Sequence, residues 1–97
     1  MKTTPSRKAA RGQECQIRIP GICNGDPETT VLAHYRMQPY CGAGFKPDDV
    51  VFGAYSCSSC HDLSDFRVKS KEFTEDEIRL MHAEGVLRTQ MLIKGRA

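Results

Sequence analysis

The 97-residue chain has no Trp, and aromatic residues make up only 7% of it. A core drawn from so little bulky apolar material is thin, and a domain of this size then calls for a further staple. No apolar run approaches the roughly 20 residues a helix needs to cross a bilayer. No apolar stretch follows the basic residues of MKTTPSRKAARGQEC, as it would in a secretory signal. These absences argue against a membrane protein and an exported one, and a cytoplasmic protein is expected. A dominant charge is missing too, because the net value is only +2. There are no repeats and no low-complexity tracts, and the length suits one domain rather than two.

What the chain does have is cysteine: five, at positions 15, 23, 41, 57 and 60. They could be read as a disulfide framework. The odd count and the tight Cys57-Ser58-Ser59-Cys60 spacing favour a metal knuckle in a compartment that keeps thiols reduced. Zinc takes four soft donors in a tetrahedron, and Cys15 with Cys23, joined by folding to Cys57 with Cys60, supplies them. The wide separation of the two pairs costs little, since loop closure grows only logarithmically with length. Structural Zn²⁺ is therefore expected. Cys15-x7-Cys23 is looser than a standard knuckle, and Cys41 is left over, a small hydrophobe or a spare ligand.

Charge is unevenly placed. Lys2, Arg7, Lys8, Arg11 and Arg18 face a single acid, Glu14, at one end, and Arg88, Lys94 and Arg96 make the other end basic. Basic ends can neutralise phosphates or simply be solvated.

Local patterns order the chain. Residues 1–13 form a basic arm, flexible or marginally helical and closed by Gly12, ahead of a single zinc-stapled domain over 14–97. Ile17 and Ile19 alternate with polar neighbours up to the Pro20-Gly21 turn, in a two-stranded or looped knuckle. Asn24-Gly25-Asp26-Pro27 is a second turn. Thr29 to Tyr35 is β-branched and apolar and reads as a strand. A long loop from Pro39 to Asp49 leads to a second strand over Val50–Tyr55, which closes a hairpin. A short helix begins near Ser58 and carries His61 to Phe66, and Ser70-Lys71 breaks it off. Thr74 with Glu77 forms a capping box for a last helix over about 75–93. Its apolar residues, among them Ile78, Leu80, Val86, Leu87 and Met91, spread widely around the axis, as in a well-covered helix or a homodimer interface. Gly85 weakens its middle by roughly 1 kcal/mol relative to Ala.

Two histidines complete the pattern. His34 ends the first strand and His61 directly follows Cys60, so strand, loop, strand and helix can turn both imidazoles into one crevice. One neutral imidazole can act as general base on a water. The other can hold a divalent cation against a phosphate. Each also has a plainer reading, His34 as an ordinary strand residue and His61 as a zinc ligand in a Cys3His set. His82, between Met81 and Ala83 in the last helix, is assigned no role.

An Ala33-His34 strand, a glycine-containing loop and a second strand ending in Cys57-x-x-Cys60-His61 resemble the ββα-metal core of HNH (His-Me finger) endonucleases. More closely, Arg7-Lys8-Ala9-Ala10-Arg11-Gly12-Gln13-Glu14-Cys15, Ile19-Pro20-Gly21-Ile22-Cys23-Asn24-Gly25, Val31-Leu32-Ala33-His34 and Cys57-Ser58-Ser59-Cys60-His61-Asp62 resemble the YbcO-type nucleases of lambdoid prophages. That likeness covers nearly the whole chain. It implies an α+β fold, a small zinc-bound HNH-like domain with a C-terminal helix, cutting DNA in phage recombination or repair inside the bacterial host cell. His34 matches the general base, and His61 the ligand of a catalytic Mg²⁺ or other divalent cation. Cys15, Cys23, Cys57 and Cys60 match the structural zinc set. Arg7, Lys8 and Arg11 of the arm, with Arg36, Lys46 and Arg67, are the expected phosphate contacts.

Two departures stand out. The position before the base, often Asp in HNH enzymes, is Ala33, and Phe52 to Ser56 contain no counterpart of the middle Asn. Asp48, Asp49, Asp62 and Asp65 are candidates to substitute. The rival reading is a zinc-knuckle module that binds nucleic acid or a recombination protein without cutting. A thiol redox protein using Cys57 and Cys60 is a weaker third, because such pairs follow a strand in a βαβ setting.

Overall fold

A computed structural model describes residues 5–37 and 48–96. The arm opens with a helix, α1 (Pro5–Ala10), where proline at the first position suits an amide that would lack a partner anyway. Ala10 is fully buried against Leu32 and Tyr55, so this part of the arm packs on the sheet. The knuckle is a loop with no strand in it. Its partner is the second strand, to which Gln16 N donates at Tyr55 O (2.7 Å).

The sheet has two strands, β1 (Val31–His34) and β2 (Gly53–Ser56), antiparallel with Leu32 opposite Tyr55 and His34 opposite Gly53. Both are shorter than their β-branched runs. At the start of β1, Asp26 caps a 3-10 turn over Pro27–Thr29, and this turn takes Thr29 out of the strand. Before β2, the expected strand residues Val50 to Phe52 are instead a single helical turn, α2 (Asp49–Phe52). The Asp48 carboxylate accepts from Val50 N and Val51 N at 2.8 and 2.9 Å. A satisfied N-cap here outweighs the strand preference of two valines.

The Cys57 thiol caps α3 (Ser58–Ser64) by accepting from Cys60 N. Then α4 (Glu75–Arg96) runs along the hairpin. Its capping box forms as expected, with Glu77 N on Thr74 Oγ1 (3.1 Å) and Thr74 N on Glu77 Oε1 (2.9 Å). Thr89, buried in α4, accepts Tyr55 N at 3.0 Å and donates to Gly85 O, which ties helix to strand. Gly85 has a packing reason: a Cβ there would lie 2.8 Å from Ile17 Cγ1 and 3.0 Å from Ile17 Cα.

The main core joins Ile17, Ile19, Ala33, Ala54, Leu63, Ile78 and Val86 to the cysteines. Not all of the apolar surface of α4 is used, and Leu80, Leu87 and Met91 remain more than 60% exposed. No described helix is long and apolar enough to cross a membrane.

Candidate functional site

Four thiols converge. The Sγ atoms of Cys15, Cys23, Cys57 and Cys60 all lie within 4.8 Å of one another, and Cys23 and Cys57 are 3.9 Å apart. A tetrahedron with zinc–sulfur bonds of about 2.3 Å has edges of about 3.8 Å, so the spacing fits the ion. Backbone amides are aimed at the sulfurs: Arg18 N at Cys15 (3.5 Å), Asn24 N at Cys57 (3.5 Å) and Cys60 N at Cys57 (3.4 Å). Arg18 reaches this position in the left-handed region (φ 55°), held by its guanidinium on Cys15 O and Gln16 Oε1. The Cys60 thiol donates to Cys15 and draws its pKa down to about 4, while Cys60 itself is pushed up. Burial raises Cys23. A cluster that already favours thiolate at one sulfur, with amide donors around it, suits a soft cation. Four thiols fill the set without His61, which sets aside the Cys3His alternative.

His34 and His61 each meet a carboxylate, on different elements. His34 ends β1, and its Nε2 lies 2.5 Å from Asp49 Oδ1 on α2. The residue opposite His34 is Gly53, where a Cβ would run into the Asp49 carbonyl and lie 2.7 Å from Leu32 Cδ1. Bare backbone at this point lets α2 fold back over the strand end and deliver Asp49. His61 stands in the first turn after the capping Cys57, and its Nε2 is 3.7 Å from Asp65 Oδ2, one helical turn on. Burial holds His61 below its ordinary pKa.

His34 and Asp65 line a cleft of about 190 Å3, with Arg36, Phe66, Arg79 and His82 among its walls. Three guanidiniums surround the two acids. Arg7 is 3.7 Å from Asp49, Arg36 is 3.7 Å from Asp65, and Arg67 is 3.3 Å from Asp65. Arg79 covers the Tyr35 ring at 4.7 Å and donates to Tyr35 Oη and Arg36 O. His82 is buried, its Nε2 3.1 Å from Ala33 O and its ring edge-on to Tyr35. It therefore supports the strand carrying His34, a role its mid-helix position in an apolar run did not reveal.

The other expected phosphate contacts fall elsewhere. Lys8 and Arg11 line an open depression with Arg7, and Arg11 is 3.7 Å from Glu28. Lys46 and the spare Cys41 lie outside the described residues. Of the four candidate acids, Asp49 meets His34 and Asp65 meets His61. Asp48 caps α2, and Asp62 pairs with Arg67 at 3.8 Å. The i, i+4 spacing of His61 and Asp65 was the available signal for one pair; nothing in the sequence marked the other. Among the described residues, the four thiols are the one group of three or more metal donors that converges. His61 and Asp65, one helical turn apart, offer two donors side by side. That is a set a hard cation accepts when waters and phosphate oxygens complete it.

The described residues thus form a small α+β domain in which four cysteines converge beside a two-stranded hairpin, and comparison with known proteins supplies the family. The chain belongs to the family described as "Putative nuclease YbcO", which matches residues 4–96. It is 49% identical over 86 residues to "Putative nuclease YbcO" of Escherichia coli (strain K12), covering 89% of this chain and 86% of that protein. The "Putative nuclease ybcO" of Enterobacteria phage 82 matches with the same identity and coverage. A solved structure, described as that of a putative bacteriophage protein from E. coli K-12 MG1655, superposes with a TM-score of 0.73 at 44% identity. It covers 94% of this chain and all of the other.

Proposed function

We propose that the protein is a metal-dependent endonuclease of the HNH type that hydrolyses DNA phosphodiesters in phage recombination or repair. The observation that carries this reading is His34, paired with Asp49 and lining a cleft together with Asp65, Arg36 and Arg79. The family's nuclease name and the phage origin of one relative support it.

The Asp49 carboxylate accepts the Nε2 proton of His34, fixing the tautomer and leaving Nδ1 as the basic nitrogen. Nδ1 takes a proton from a water whose oxygen attacks the phosphorus. The bond to the leaving oxygen breaks, and that oxygen is protonated from solvent. His61 and Asp65 are the residues that would hold Mg²⁺ or a similar ion, which when bound offsets charge on the phosphate and the leaving oxygen. Arg36 and Arg67, resting on Asp65, are placed to transfer to flanking phosphates. The four cysteines would hold Zn²⁺, and with it bound they would fix the N-terminus of α3 that carries His61.

The test is cleavage of plasmid and single-stranded DNA by zinc-loaded protein with Mg²⁺ or Mn²⁺, beside folded, zinc-replete His34→Ala. The reading expects cutting by the first and none by the second. Ala33 removes a carboxylate from the divalent site and favours a second reading, a zinc module that binds DNA or a recombination protein without cutting. DNA binding at low salt with no cleavage under any divalent ion would select it.

A further inference from the structure

The end of α3 is built with the wrong residue for its shape. Arg67 N donates to Asp62 O (3.0 Å) and Phe66 N to Leu63 O (3.1 Å), the two bonds of a Schellman turn. The residue after the cap in this turn lies in the left-handed region and is usually glycine. Here it is Phe66, at φ 58°, where a bulky side chain is a true outlier. Backbone strain that persists in such a place is a reason to look for function.

The ring is not withdrawn into the core. Phe66 is 43% exposed, lines the His34 cleft, and also lines a second groove with Val68 and Phe73. It therefore stands as a partition between two concave surfaces. Arg67 follows it, and Arg36 and Arg79 share its cleft. An aromatic face beside a line of cations is the arrangement that binds unpaired nucleic acid, because bases stack on the ring while guanidiniums follow the backbone. A base inside a duplex has both faces covered by its neighbours and offers only its edges.

We infer that Phe66 is a stacking platform for one unpaired nucleobase next to the phosphate addressed by His34, so that the substrate class is single-stranded or branched DNA. This rests on the nuclease reading for the identity of the phosphate but not for the stacking itself.

The chain has no Trp, so Phe66→Trp introduces a single indole reporter at the site. Zinc-loaded Phe66→Trp is titrated with a single-stranded oligonucleotide, the matching duplex and an abasic single strand, without Mg²⁺ so that nothing is cut. Binding is followed independently by anisotropy of a labelled strand. The inference expects quenching by the single strand and little by duplex or abasic DNA. Phe66→Gly, which relieves the turn and should melt no lower than wild type, is expected to bind single strands about tenfold more weakly with duplex affinity unchanged. A merely structural Phe66 would move melting temperature and not this preference. An unchanged indole signal on bound single strands overturns the inference, as does a Phe66→Gly protein with the wild-type preference for single strands. Quenching by the single strand together with a complete lack of cleavage upholds the platform while removing the nuclease reading. His34-dependent cleavage with no Phe66 effect removes the platform alone.

Discussion

Asp49 Oδ1 meets His34 Nε2 at 2.5 Å, although the two residues are 15 positions apart and belong to different elements. Their meeting depends on Gly53, whose missing side chain admits α2 over the end of the hairpin. Asp49→Asn keeps the hydrogen-bonding shape but loses the charge that fixes the histidine tautomer. Cleavage should fall on the order of 10- to 100-fold with zinc content unchanged, read from single-turnover rates. Gly53→Ala should lower the rate in the same way, through displacement of α2.

Cys57 and Cys60 are fully buried among apolar neighbours, so the thiols are part of the core as well as of the candidate metal site. One zinc per chain is expected by elemental analysis. Structural zinc contributes roughly 10–16 kcal/mol at neutral pH, as much as the whole stability expected of a domain this size, about 5–15 kcal/mol. A strong chelator, or Cys60→Ser, should therefore abolish cooperative unfolding by circular dichroism rather than merely lower the melting temperature.

Glycine at position 85 reads from sequence as a weakness in α4, and the packing reverses that reading. Ala would add about 1 kcal/mol of helix propensity, yet its Cβ would press on the backbone of Ile17. Overpacking of this kind costs roughly 1–3 kcal/mol. Gly85→Ala should lower the denaturant midpoint with an unchanged slope.

Burial holds His82 below its ordinary pKa. The unfolded chain then binds a proton that the folded chain refuses, in the window between the depressed folded value and about 6.5. Stability from this residue is fully present above about pH 6.5 and is lost as pH falls below it. His82→Gln, which keeps a donor for Ala33 O, should narrow the loss of melting temperature between about pH 7.5 and 5.5. Protonation of the thiols affects both proteins alike and drops out of the comparison.

What could be read from residues alone followed short-range rules. The Cys-x-x-Cys knuckle, the strand carrying His34, the helix after Cys57 and the Thr74–Glu77 box each have a local signature. What could not be read depended on competition or convergence. Two valines after Asp48 look like a strand until the carboxylate caps their amides. Of the four candidate acids only Asp65 had a spacing signal, and it is the fold of α2 over Gly53 that singles out Asp49 for His34. Buried His82 and the left-handed Phe66 lie within ordinary helical and loop patterns, with nothing in their spacing to distinguish them.

The central claim, that His34 is the base of a nuclease, is tested most directly by chemical rescue. His34→Gly, folded and zinc-replete, should cut DNA in Mg²⁺ at least about a hundredfold more slowly than wild type. Added imidazole should restore cutting in proportion to its neutral form. Equal cleavage by wild type and His34→Gly, or no cleavage by either, would contradict the account.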